Sequence, residues 1–137
     1  MEPNGTGAIR ETILVVEDAE PIRRMVISML LQSGYHCLEA PDGSEALEVL
    51  DTHEEPVHLV LTDLLMPNMS GTELAEHLAR LRPGLPIVFM SGYTEDPMVV
   101  SIGRNRNNFL AKPFTAGALL EKVRQALQEL GSGPGAP

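Results

Sequence analysis

Four short apolar runs each end on a side chain able to do chemistry, and this repeated grammar constrains the fold more than any other feature of the chain. Ile13-Leu14-Val15-Val16 is followed by Glu17 and Asp18, and Leu59-Val60-Leu61-Thr62 by Asp63. Ser91 follows Ile87-Val88-Phe89-Met90, and Lys112 follows Phe109-Leu110-Ala111. Apolar runs of this length, alternating with helical patterns, predict a parallel sheet covered on both faces by helices. Parallel strands end at a common edge, where open α/β sheets place their ligands. Glu17, Asp18, Asp63, Ser91 and Lys112 are therefore expected to share one rim.

Strands are expected near 12–17, 36–40, 57–62, 86–90 and 108–111. Pro21 suits the first turn of a helix, in which Ile22, Met25, Val26, Met29 and Leu30 recur at helical spacing until Gly34 ends it. A second helix follows Asp42-Gly43, with Ala46, Leu47 and Leu50 inward. Ser70-Gly71-Thr72-Glu73 has the spacing of a capping box, in which serine and glutamate reciprocally satisfy orphan backbone N–H groups. It opens a third helix, with Leu74, Leu78 and Leu81 inward and Pro83-Gly84 ending it. In the last helix, from about Thr115, Leu119, Leu120, Val123, Leu127 and Leu130 form an apolar stripe. Between Thr94 and Asn108 the helix signal is poor, because SIGRNRNN combines Gly103 with three asparagines. The fourth helix is expected to be short there.

A chain of 137 residues suits one domain and can bury roughly two thirds of the surface its unfolded form exposes. The net charge of -9 argues against nonspecific nucleic-acid or anionic-membrane binding, both of which need a basic surface. Glu39, Asp42, Glu45, Glu48, Asp51, Glu54 and Glu55 are expected to form a solvated acidic face. The single Cys37 cannot form an internal disulfide, and its neighbours suggest a strand, so a reducing cytoplasm is the expected setting. No apolar stretch approaches the ~20 residues that span a bilayer, and MEPNGTGAIRET lacks the apolar segment of a secretory signal. His36, His53, His58 and His77 show no paired metal-ligand spacing and read as structural or surface groups, while Met25 and Met29 read as core filling. Residues 1–10 and the Gly/Pro-rich 131–137 are expected to be loose, flanking a domain over 11–130.

Carboxylates crowded on one rim repel each other, and a pair about 4 Å apart at an effective dielectric near 20 costs on the order of 4 kcal/mol. A cation must compensate. Mg2+ is a hard ion that suits one or two carboxylates and keeps positions open for water and phosphate; Mn2+ can substitute. Lys112 adds a fixed positive charge beside it.

The segments ILVVEDAEPIRRM (13–25), LVLTDLLMPNMSG (59–71), FMSGYTE (89–95) and FLAKPF (109–114), in this order and at these intervals, resemble the receiver (phosphoacceptor) domain of two-component response regulators and hybrid histidine kinases. The resemblance covers about residues 11–130. It implies a flavodoxin-like (βα)5 fold, a doubly wound five-stranded parallel sheet of order 2-1-3-4-5 in a single domain. It also implies that Asp63 is the nucleophile, taking a phosphoryl group from a histidine kinase or histidine phosphotransfer protein. Asp18 and Asp63 would bind Mg2+ directly and Glu17 through coordinated water, with the backbone carbonyl of Leu65 completing the protein's share. Lys112 would pair with the carboxylate at rest and with a phosphate oxygen afterwards, aimed inward by a cis peptide to Pro113. Ser91 would donate its hydroxyl to the phosphoryl group.

Phe109 stands three residues before Lys112, where the family carries an aromatic switch, although a strand phenylalanine is as readily core. The resemblance implies output through the face of the fourth helix, fifth strand and fifth helix, toward a downstream protein target or covalently linked kinase domains. Leu65 and Tyr93, both bulky, occupy positions that flank the path of the hydrolytic water. MSGYTE with LLMP looks more like receivers of hybrid histidine kinases than like DNA-binding regulators.

Two other functions fit part of this pattern. An aspartate-nucleophile phosphatase would need a second acid two residues after the nucleophile, where this chain has Leu65. A phosphorylation-independent interaction module would have no use for the full acceptor set, all of which is present. The expectation is a self-phosphorylating acceptor without turnover on an external substrate, binding neither nucleic acid nor membrane.

Overall fold

Strand side chains alternate between the two faces of a sheet, so a strand that is apolar at every position needs a hydrophobic layer on each side. The computed structural model describes residues 10–66, 68–92 and 109–132, with side chains through residue 128, and it meets that need. Strands β1 (Thr12–Val16), β2 (His36–Ala40), β3 (Leu59–Asp63), β4 (Ile87–Ser91) and β5 (Phe109–Ala111) form one parallel sheet of order β2-β1-β3-β4-β5. Helices α1 (Glu20–Gln32), α2 (Gly43–Thr52), α3 (Gly71–Leu81) and α4 (Ala116–Ser132) accompany it among the described residues. The order is the one that the receiver resemblance implies. The short helix expected between Thr94 and Asn108 lies outside the described residues, so α4 denotes the helix that the sequence places last.

On one face of the sheet Leu14, Val16, Val60 and Phe89 meet Ala46 and Leu50 of α2 and Leu74 and Leu78 of α3. On the other, Ile13, Val15, Leu61, Val88 and Met90 meet Val26 and Leu30 of α1 and Leu119 and Val123 of α4. β1, β3 and β4 are buried along their whole length. Each fully buried aliphatic side chain there contributes roughly 1.5–3 kcal/mol, which makes the centre of the sheet its most rigid part. β2 forms one edge and exposes His36 and Glu39.

Helix starts follow the caps written in the sequence. The Asp42 side chain accepts the Glu45 N–H at 2.9 Å, and Ser70 and Glu73 form the expected capping box. The Thr115 hydroxyl oxygen accepts the Ala118 N–H at 3.0 Å.

Several strand limits differ by one or two residues from the sequence expectation: β1 stops at Val16, β3 runs from Leu59 to Asp63, and β4 from Ile87 to Ser91. Val57 and His58 precede the regular ladder because a side chain enters it. The His58 N–H donates to the Thr12 carbonyl at 2.8 Å, and the His58 Nδ1 accepts the Thr12 N–H at 2.9 Å, where a backbone carbonyl would otherwise sit.

Two side chains expected in the core are exposed. Met25 is 44% and Leu81 63% exposed. Val26 and Leu30 take the sheet-facing positions of α1, which turns Met25 toward a groove shared with Ile22, Pro113 and Phe114. Leu81 lies at the last residue of α3, on the rim of a groove that it lines with Leu47, Leu50 and Leu78.

One glycine is required by a close approach. The loop after β3 folds back so that the Gly71 N–H donates to the Leu64 carbonyl at 2.9 Å. A Cβ at residue 71 would stand 2.4 Å from the Asp63 carbonyl oxygen and 3.0 Å from the Leu64 Cα. Backbone cannot yield as a flexible side chain would. Gly71→Ala is therefore expected to destabilise the fold by about 2 kcal/mol and to displace the Asp63 and Leu64 amide resonances. Denaturant unfolding with NMR checks this; wild-type stability and shifts would refute the close contact.

Candidate functional site

The carboxyl edge of the sheet brings together the residues that the sequence placed there. Glu17 and Asp18 follow β1, Asp63 ends β3, Ser91 ends β4 and Lys112 follows β5. One carboxylate oxygen each from Glu17, Asp18 and Asp63 lie within 4.8 Å of one another. Glu17 and Asp63 are buried, whereas Asp18 is exposed. The cluster is thus reachable from solvent through Asp18.

Lys112 spans the two buried acids. Its Nζ donates to Glu17 Oε1 at 2.8 Å and to Asp63 Oδ2 at 3.4 Å. The other Glu17 oxygen accepts the Ala19 N–H at 3.1 Å, so both oxygens of that carboxylate are engaged. Asp63 is held more loosely. Its Oδ1 faces the Leu65 N–H at 3.5 Å, beyond the usual hydrogen-bond range. The Asp63 backbone is firmer, because the Thr62 hydroxyl donates to its carbonyl at 2.9 Å.

Lys112 is itself aimed by the sheet. Its N–H donates to the Ser91 carbonyl at 2.8 Å, extending the β4–β5 ladder by one residue, and the Lys112–Pro113 peptide is cis. Ser91 is buried at the end of β4. Phe109 is half-buried, in register with Phe89, and packs with the core between the sheet and α2–α3. Leu65 is 57% exposed in the loop after β3. Tyr93 lies outside the described residues.

Electrostatics show an excess of negative charge. Burial pushes the Glu17 carboxyl above the usual carboxylate range; the hydrogen bonds from Lys112 and Ala19 oppose that rise, and the Asp63 charge adds to it. Burial would lower the Lys112 ammonium, but the Glu17 hydrogen bond and the charges of Asp63 and Glu17 outweigh it and hold the lysine above its ordinary value. The excess itself is one of number, three carboxylates about one ammonium. Three hard oxygen donors with one solvent-facing member fit a divalent cation of the Mg2+ type.

One contributor was not singled out in the sequence. Arg23 of α1 donates from Nε to Glu39 Oε1 at 2.7 Å and from Nη1 to the Glu17 carbonyl at 2.7 Å. Glu39, expected on a solvated acidic face, is thus a partner of the site's support. Asp42, expected on that same face, caps α2 and also accepts from Asn68 Nδ2 at 3.4 Å. The sequence shows two arginines, Arg23 and Arg24, between the apolar positions Ile22 and Val26, and nothing local distinguishes the first from the second.

The fold, the acid cluster and the bridging lysine define a phosphoacceptor type of α/β domain. The chain belongs to the response regulator receiver domain family, whose sequence model matches residues 13–124. It is 34% identical over 119 residues to the sensor kinase CckA of Brucella abortus, a match covering 86% of this chain and 13% of that protein. It is also 34% identical over 116 residues to the response regulator receiver protein CpdR of Brucella abortus, covering 84% of this chain and 95% of CpdR. A CheY-like receiver domain protein from Methanospirillum hungatei JF-1 has the same fold, with a TM-score of 0.80 at 29% identity over 90% of this chain and 98% of that one. The chain spans only 55% and 26% of two transcriptional regulators that it also matches. Receiver domains bind Mg2+ through acidic residues, and they interact with histidine kinases or phosphotransfer proteins.

Removing Lys112 leaves two buried acids without their cation. In Mg2+-free buffer at pH 7, Lys112→Met is expected to lose about 2 kcal/mol, less than for a fully buried pair because the lysine is partly exposed. An acid whose folded-state value is raised destabilises the fold fully above that value, and the penalty fades as pH falls from there to the unfolded-state value. The deficit relative to wild type therefore shrinks as pH falls from 7 through the raised Glu17 value. Denaturant unfolding at pH 7 and near pH 4 measures it, and a pH-independent deficit would contradict the charge account.

Proposed function

We propose that Asp63 is the phosphoacceptor of this receiver, with Asp18, Glu17, Lys112 and Ser91 as its working partners. The observation that carries the assignment is Lys112 bridging Glu17 and Asp63 while Asp18 completes the acid cluster. In the transfer, an Asp63 carboxylate oxygen bonds to phosphorus as the bond from phosphorus to the donor imidazole nitrogen breaks. Geometry and charge, rather than further covalent chemistry, carry most of such a step. Asp63 suits attack because its oxygens are the less tightly held of the two buried acids.

Asp18 and Asp63 would hold Mg2+ directly, and Glu17 would act through water because both of its oxygens already accept hydrogen bonds. The Leu65 backbone carbonyl would add one more oxygen. Bound there, Mg2+ would neutralise charge on the acceptor and phosphoryl oxygens. Lys112 then shifts from its acids to a phosphoryl oxygen, and the Ser91 hydroxyl donates to another. Phe109, paired with Phe89 two residues before Ser91 and packed on the α2–α3 side of the sheet, would be the aromatic group that follows Ser91, and β5 and α4 would carry part of the surface that changes with it.

The donor in this scheme is a phosphohistidine on a histidine kinase or histidine phosphotransfer protein, in the cytoplasm. Among the described residues no helix is long and apolar enough to cross a membrane. Output would pass to a downstream protein or to covalently linked kinase domains, a choice supported by MSGYTE and LLMP. The chain accepts phosphate without turning over an external substrate.

Incubation with acetyl phosphate and Mg2+ or Mn2+ is expected to phosphorylate the protein, and Asp63→Asn or excess chelator to abolish it. Labelling that survives either change would overturn the assignment. By the receiver resemblance, Leu65 and Tyr93 would flank the path of the attacking water, and their bulk in the sequence leads us to expect a long-lived phosphoryl group. Leu65→Asn with Tyr93→Glu is expected to speed its loss about tenfold, equivalent to about 1.4 kcal/mol of barrier. Equal dephosphorylation rates in the two proteins would remove shielding as the cause.

A further inference from the structure

We infer that Arg23 is a positioning residue for the metal-binding acids, acting through the backbone of Glu17. The inference rests on Glu17, Asp18 and Asp63 forming the Mg2+ site. Glu17 and Asp18 sit in the short link between β1 and α1, where the N-cap residue, Ala19, has no side chain that can cap the helix. Something else must hold the link. The Glu17 N–H donates to the Ala40 carbonyl at the end of β2, at 3.1 Å. The Glu17 carbonyl accepts Arg23 Nη1 at 2.7 Å, and the same guanidinium is held by Glu39 of β2 at 2.7 Å. Both backbone polar groups of Glu17 are thereby tied to β2, one directly and one through Arg23 and Glu39.

The Glu17 carbonyl belongs to the peptide that joins Glu17 to Asp18. A peptide unit is planar, so holding its oxygen restrains the plane that carries the Asp18 N–H and the two Cα atoms from which both side chains leave. Arg23 achieves this with a side chain that is only 13% exposed, using two nitrogens of one rigid plane toward two acceptors. A lysine ammonium, a point charge on a flexible stem, lacks that fork. Glu39 also balances the guanidinium charge, so Arg23 supports the acid cluster without neutralising it in place of a metal ion. Partners that orient metal ligands commonly change affinity by 10–100-fold when removed.

Calorimetric titration of the unphosphorylated full chain with MgCl2, together with the Glu17 and Asp18 amide resonances, tests this. Arg23→Ala is expected to weaken Mg2+ binding roughly tenfold and to shift both amides. Arg23→Lys should recover little of the loss. Glu39→Ala, at an exposed side chain, should weaken binding in the same direction and add nothing in the Arg23→Ala background, as expected for two residues acting in one chain of contacts. Unchanged Mg2+ affinity in a folded Arg23→Ala protein would overturn the inference while leaving the metal site standing. If Arg23→Ala does not fold, unchanged affinity and amide shifts in Glu39→Ala overturn it instead. Absence of Mg2+ binding by the wild type would overturn the metal site, and this inference with it.

Discussion

The ammonium of Lys112 among three carboxylates is the interaction on which the rest of the site depends. Two like charges about 4 Å apart at an effective dielectric near 20 repel by on the order of 4 kcal/mol, and Glu17 and Asp63 are buried where water cannot screen them fully. Lys112 lowers that repulsion without abolishing it. Its 2.8 Å contact with Glu17 and 3.4 Å contact with Asp63 leave Asp63 the freer of the two. A site balanced in this way stays folded alone yet retains the negative charge that draws a divalent ion.

Such a balance requires fixed positions, and the sheet provides them. Each functional group stands at or just beyond the end of a strand whose apolar residues are locked between two helical layers. The Lys112 N–H bonds to Ser91, and Gly71 lets the loop after β3 close over the Asp63 backbone. Arg23 fastens the Glu17 peptide to β2. Glu17 and Asp63 are therefore held through their main chains, while the Asp63 side-chain oxygens are the more loosely engaged.

Most of the fold was legible because its signals are local. Apolar runs, the Ser70–Glu73 capping box and turn glycines each act within a few residues, and together they gave five strands in order and the rim on which Glu17, Asp18, Asp63, Ser91 and Lys112 meet. Helical periodicity overreached at Met25 and Leu81, where an apolar stripe extends past the layer able to cover it. The start of β3 was misplaced because His58 enters the ladder with its side chain, a contact between residues 46 positions apart. Arg23 and Glu39 were invisible for the same reason. Their roles depend on a backbone carbonyl that only the tertiary fold brings within reach.

Asp63 as the group that receives the phosphoryl is the claim on which function turns. Borohydride reduction of the acetyl-phosphate-treated protein, followed by peptide mapping, reads it directly, because an aspartyl phosphate is reduced to homoserine where an ordinary carboxylate is not. The account predicts homoserine at residue 63 and at no other position. Reduction at Asp18 or Glu17 instead, or phosphate recovered on a serine or histidine, would contradict it.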